Sequence, residues 1–141
     1  MSDEELPQSS QNQKASDLFG ELLMSRVRDT QIQFWDQTLV GETRHANYQQ
    51  VYEALSQSID AQQLASIRDL IPYVVDNVIA HFLGMLEARK EIDIAVHLEG
   101  QTVPNLRKVT EGLESALYGE DGWIAKFSKE RYDPFGLEAG W

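Results

Sequence analysis

The polar residues best spaced for chemistry lie on one predicted strand, Glu91 to Glu99, in which apolar and polar residues alternate. Because residues two apart in a strand share a face, Asp93, His97 and Glu99 should lie together on the side away from the core. Two carboxylates and an imidazole can hold a divalent cation or accept a cationic side chain from a partner. A solvated sheet face has the same composition, and it is the plainer interpretation of this pattern.

A second acidic group lies in the predicted turn that begins at Gly119, where Glu120 and Asp121 precede the indole of Trp123. Its spacing does not match a calcium loop, which alternates oxygen donors over about twelve residues. A turn between a helix and a strand is the plain interpretation. The sharper hypothesis is that this turn joins the strand face described above in one acidic patch, with Trp123 as the anchor for a basic partner.

An alternative site involves Asp76 and His81, which lie along a dense apolar helix pattern near residues 70–88. The histidine could act as a base in a pocket between this helix and the sheet, which would suit a small-ligand protein or an enzyme. A core histidine whose hydrogen bonds are satisfied there is the more ordinary interpretation, because Asp76 and His81 are five residues apart and do not face each other on a helix.

The sequence lacks the other patterns that usually mark an enzyme. It has no cysteine, no phosphate-binding glycine loop and no serine in a nucleophile elbow. Glu42 and His45 have the Glu-x-x-His spacing of di-iron bundles, but such sites need two of these pairs. We therefore expect no cofactor, no metal and no enzymatic activity, although a pair of carboxylates assembled only by the fold would escape this search.

Charge points to the type of partner. The 141 residues include 23 acidic and 12 basic side chains, and the net charge of −11 is spread along the chain. This field would repel nucleic acid and attract a basic protein. The acidic N-terminus is unlike a signal peptide, no apolar run approaches about 18 residues, and cysteine is absent, so we expect a cytoplasmic protein without a membrane span.

The elements that must position these residues are mostly helical. Apolar residues recur at helical spacing from Ser16 to Leu39 and again from Tyr48 to Ser58, and Asp60 can cap the next helix. Pro72 predicts a break or kink near Asp69, followed by a helix to about Ala88.

These patterns predict an α+β fold with strands near 91–99 and 123–128 packed on the buried helix near 70–88. The residues from Leu106 to Tyr118 are expected to form a further helix. We expect a disordered arm over residues 1–14, one domain over 15–131, and a tail over 132–141 that is either loose or docked through its aromatic residues.

Several short motifs resemble those of short bacterial proteins of uncharacterised function, over most of the chain between residues 20 and 131. These motifs are Arg28-Asp29, Trp35-Asp36, Gly41, Leu70–Pro72, Val75-Asp76, Leu117–Ile124 and Phe127–Arg131. The resemblance implies no activity. By analogy of size and charge, such proteins are often accessory or immunity-type binders.

The sequence thus favours a non-enzymatic acidic module that binds another protein, of immunity type or regulatory, with a basic partner. Two alternatives stay open. One is the ligand pocket at Asp76 and His81. The other is a homodimer of structural role, built by the long helix that carries Phe34 and Trp35.

Overall fold

Helices dominate the computed structural model, which describes residues 7–137, and one short hairpin supplies its sheet. The helices are α1 (Gln8–Leu22), α2 (Asp29–Leu39), α3 (Ala46–Ser58), α4 (Ala61–Ala88) and α5 (Trp123–Phe127), and the strands are β1 (Val96–Leu98) and β2 (Gln101–Val103). The predicted α+β class, mostly helical with a small sheet, is therefore confirmed.

Helices α1 and α2 form one continuous helical segment, joined by a π-helical stretch from Leu23 to Arg28. Its wider turn is seen in the bond that the Asp29 amide donates to the Met24 carbonyl, five residues back. The predicted start at Ser16 is too late, because α1 begins at Gln8. The disordered arm predicted over residues 1–14 is thus wrong from Gln8 onward, and residues 1–6 lie outside the described part of the chain.

Helix α4 begins at a complete capping box, in which Asp60 accepts from the Gln63 amide and the Gln63 side chain accepts from the Asp60 amide. The predicted cap is confirmed. Of the break or kink predicted near Asp69, the break is wrong, because a single helix runs through this region. The helix continues through Pro72, whose missing N–H leaves the carbonyl of Arg68 without its helical donor. The Arg131 guanidinium donates to that carbonyl at 2.5 Å, so a distant segment supplies the lost hydrogen bond.

The sheet is smaller than predicted and packs against a different helix. The strand expected over 91–99 is limited to β1, which pairs antiparallel with β2 in the register Val96 to Val103. The expected strand over 123–128 is helix α5, and the hairpin packs mainly on α1, not on the helix near 70–88. The predicted helix over 106–118 is replaced by two short 3-10 turns, Leu106–Lys108 and Ser115–Leu117.

One buried apolar cluster joins these elements except α3, which has no buried residue, and Trp123 shows how closely they approach. The indole is 3% exposed and meets Phe19 of α1 edge to face, with ring centroids 5.6 Å apart. It also covers Gly20, where an added Cβ would overlap the indole ring. A glycine in the last turn of α1 is therefore what allows α5 to pack this close.

Candidate functional site

A buried arginine organises the centre of the molecule. The Arg28 side chain is fully buried, and its Nε and Nη2 donate to the two carboxylate oxygens of Asp76 at 2.6 and 3.1 Å. The same guanidinium donates to the Ser128 hydroxyl and to the carbonyls of Glu130 and Arg131. This arrangement satisfies a buried charge on all sides and ties the π-helical segment to α4 and to the chain after α5.

Two further carboxylates hold that C-terminal stretch on the helices. Asp29 accepts from the Ser128 hydroxyl at 2.5 Å and from the Lys129 amide at 2.9 Å. Asp36 accepts two hydrogen bonds from Arg131, at 2.7 and 2.8 Å, and this pairing raises the pKa of the guanidinium. The path of residues 128–131 is therefore fixed by charged side chains of α2 and of the π-helical segment before it.

The described part of the predicted tail, up to Leu137, docks on α4. The Tyr73 hydroxyl donates to Asp133 and accepts from the Phe135 amide, and the Tyr73 and Phe135 rings stack with centroids 5.6 Å apart. Burial raises the pKa of Tyr73, and the hydrogen bond to Asp133 raises it further. Residues 138–141 of the predicted tail lie outside the described part of the chain.

A groove runs between α4 and these C-terminal residues, with a volume of about 690 Å³. Its walls combine three tyrosines, three carboxylates and a histidine. The lining residues are Tyr73, Asp76, Asn77, Ala80, His81, Glu114, Tyr118, Tyr132 and Asp133. The Tyr132 ring also lies over the Arg28 guanidinium, 5.9 Å from ring centroid to Cζ.

The structure places Asp76 and His81 on the wall of this one groove, which borders the 114–118 and 132–133 segments instead of the sheet. They do not form an acid–base pair, because the Asp76 carboxylate is bound by Arg28. The His81 Nδ1 lies 2.9 Å from the Asn77 carbonyl, one helical turn back. Since a carbonyl only accepts, Nδ1 carries the proton in the neutral ring, and Nε2 is left as the basic nitrogen.

The most unusual surface is the outer face of α4. Its sequence contains five apolar doublets in which the second residue faces the core and the first faces solvent. The doublets are Leu70-Ile71, Val74-Val75, Val78-Ile79, Phe82-Leu83 and Met85-Leu86. The five first members are 40–65% exposed, and we call them the outer stripe. The expectation of a buried helix near 70–88 therefore does not hold for this outer face, which includes Val74, Val78 and Phe82.

The structure does not assemble the predicted strand face as a cation site. Asp93 precedes β1, accepts from the Asn105 amide group at 2.9 Å and pairs with Arg107 at 3.6 Å. His97 pairs with Thr102 of β2, with Nδ1 3.0 Å from the hydroxyl oxygen, and Glu99 lies in the exposed turn. Within residues 7–137 no three acidic, histidine or cysteine side chains lie close enough to hold a metal ion.

The structure also does not form the second predicted group, which combined Glu120 and Asp121 with the indole of Trp123. Glu120 and Asp121 are exposed, but the expected anchor Trp123 is buried and cannot present its indole to a partner. Asp121 and Trp123 line a polar cleft of about 480 Å³ beside α1, and none of Asp93, His97 or Glu99 lines it. The prediction of a single patch edged by an exposed indole is thus wrong in its geometry.

Sequence reasoning missed the network centred on Arg28, although a signal for it was present. Arg28, Asp29, Asp36, Asp76, Ser128 and Arg131 all occur in the short motifs that carried the resemblance. Phe34 and Trp35, the residues of the homodimer hypothesis, meet Tyr48 of α3 edge to face, at 4.8 and 5.6 Å between centroids. The homodimer stays a prediction.

Comparisons with protein-family models, with curated proteins and with solved structures found no match to this chain. By length and composition alone, α4 is apolar enough to cross a membrane, with about a third of its most apolar window buried here. Core helices of soluble proteins share that composition, so the absence of a membrane span stays a prediction.

Proposed function

We propose that this protein works by binding another protein through the outer face of α4. The outer stripe is the observation that supports it most strongly. Between Leu70 and Met85 the outward-facing positions are apolar except for Asn77 and His81, and the most exposed member, Val78, is 65% exposed. Contiguous exposed apolar surface of this kind is typical of interaction sites.

The proposal keeps the acidic, non-enzymatic binding module expected from the sequence, of immunity type or regulatory, but moves its contact surface. Asp93, His97, Glu99, Glu120 and Asp121 give way to the outer stripe and the groove beside it. The net charge of −11 supports a basic partner, because it raises the rate at which such a partner reaches the surface. A cytoplasmic location belongs to the same proposal.

Photo-crosslinking from α4 tests the function in cells of the source organism. A benzophenone amino acid at position 78 should give one discrete adduct with a second protein. The matched control is position 40, because Val40 is also an exposed valine, at 55%, but lies at the end of α2. Adducts of equal yield from both positions, or none from position 78, would contradict the proposal.

A small-molecule function is the second candidate, and the observation that favours it is the groove that holds His81 beside three tyrosines. A ligand there would contact the His81 Nε2. Ligand-detected NMR with a library of small cationic and aromatic compounds would identify it, and His81→Phe should abolish the signal. Binding that survives this change would exclude a ligand contact at His81.

A further inference from the structure

The shape of the outer stripe indicates what kind of segment covers it. Its members follow one another mainly at four-residue spacing, which makes a ridge inclined to the helix axis. A ridge of this type packs into the groove between the corresponding ridges of a second helix. From Leu70 to Met85 the stripe extends about 22 Å at 1.5 Å per residue, a length that a partner helix of about 15 residues would match.

The groove along one edge of the stripe indicates the charge of that segment. Of its carboxylates, Asp76 is neutralised by Arg28, while Glu114 and Asp133 add negative charge to the opposite wall. Three tyrosines also line the groove, together with Asn77, Ala80 and His81. Aromatic rings together with carboxylates accommodate an ammonium or guanidinium group. An acidic side chain in the same place would meet like charge.

A second copy of this chain fits the surface less well. Each copy carries a charge of −11, so two copies repel each other. No lysine or arginine lies between Leu70 and Met85, so the outer face of a second α4 brings no cation for the groove.

We infer that the partner contributes a basic amphipathic helix, an inference that rests on the proposed function. Its apolar side covers the outer stripe, and one of its lysine or arginine side chains enters the groove between α4 and Glu114. This is the helix-in-groove mode of recognition, with apolar anchors three to four residues apart.

The test uses the full chain and two synthetic peptides of about 18 residues. Both peptides carry leucines at helical spacing on one face, and the other face holds lysines in one peptide and glutamines in the other. Fluorescence anisotropy at 150 mM salt should show at least tenfold tighter binding of the lysine peptide. Equal binding of both peptides would overturn the charge part of the inference.

Two pairs of variants locate the binding. Val78→Asp should weaken the lysine peptide at least tenfold, and Val40→Asp less than twofold. Glu114→Lys should weaken it at least fivefold, and Glu120→Lys, an equal change of charge at an exposed site, less than twofold. Circular dichroism checks that each variant is folded. Equal losses within either pair would overturn the assigned surface.

Further outcomes separate this inference from the proposed function. A discrete crosslink from position 78 in cells, without binding of the lysine peptide, would leave the function and remove the basic helix. A dimer in light scattering that Val78→Asp dissociates would assign the stripe to a second copy. Lipid vesicles that bind the wild type but not Val78→Asp would assign it to a membrane.

Discussion

At the scale of single residues, the buried pair of Arg28 and Asp76 does the most to define the structure. The guanidinium joins its own π-helical segment to α4 and to residues 128–131, and Asp76 is the partner that offsets its charge. A buried pair of this kind adds little over apolar packing, but removing one member leaves an uncompensated charge. The pair therefore fixes which segments meet, more than it adds to overall stability.

We predict that Asp76→Leu lowers the free energy of unfolding by about 3–5 kcal/mol, because it leaves the Arg28 charge buried and unpaired. Adding Arg28→Met should recover part of this loss. Urea unfolding of the two single variants and the double variant measures the coupling. Strictly additive losses would show that the two side chains stabilise the fold independently.

Tyr73 gives the docking of the C-terminal segment a dependence on pH. Its pKa is raised above the ordinary 10.0, so the folded state favours the protonated hydroxyl. The stabilisation contributed by the protonated Tyr73 hydroxyl is therefore complete below pH 10 and is lost as pH rises through the raised pKa. Absorbance titration of wild type against Tyr73→Phe should show one late-titrating tyrosine missing, and Asp133→Asn should bring its pKa back down. A tyrosine that titrates at its ordinary value in the wild type would contradict this account.

At the scale of elements, the contact between α1 and α5 depends on a missing side chain. Alanine normally favours a helix interior over glycine by about 1 kcal/mol. At Gly20 the added methyl would overlap the Trp123 ring, and overpacking costs about 1–3 kcal/mol. We expect Gly20→Ala to be destabilising on balance, by about 1 kcal/mol in thermal or urea unfolding.

Gly84 of α4 is the matched control for that substitution. The nearest atom to its added Cβ is a carboxylate oxygen of Glu114, the movable end of a flexible side chain, at 3.1 Å. Gly84→Ala should therefore be neutral or stabilising, by up to about 1 kcal/mol. If both alanines stabilised the protein equally, the close packing of Trp123 on α1 would be wrong.

The elements also show where sequence reasoning succeeds. The periodic segments from Ser16 to Leu39 and from Tyr48 to Ser58 are helical as predicted, although the one from Leu106 to Tyr118 is not. The Asp60 cap is predictable because its signal is local. The break predicted near Asp69 is wrong, because the donor that replaces the hydrogen bond lost at Pro72 comes from Arg131, far along the chain. The segment from Trp123 to Phe127 is too short for its alternation to distinguish a strand from a helix.

The candidate site could be predicted from the sequence only in part. Asp76 and His81 were selected from the sequence and do line one groove, but the residues opposite them come from loops whose position only the fold determines. The sequence expectation for the segment near 70–88 is one buried helix, which leaves no exposed apolar face on α4. Five consecutive doublets in fact predict two stripes, and a small protein can bury only one of them in its own core.

At the scale of the whole molecule, the exposed apolar stripe and the negative charge favour the same side of α4 as the binding surface. One stripe of α4 packs inward, where α2 and the π-helical segment hold it, while the outer stripe is left to solvent in the described structure. The net charge of −11 attracts basic molecules over the distance of a Debye length, about 8 Å in cells, and the groove supplies local carboxylates. We propose that this side of α4 is where the protein binds its partner.

Crosslinking from position 78, compared with position 40, tests that claim most directly, because it reports contact in cells without knowledge of the partner. The account predicts a single heterologous adduct from position 78, mapped to a basic helical segment, and none from position 40. An adduct-free position 78, beside a discrete adduct from position 40, would contradict it.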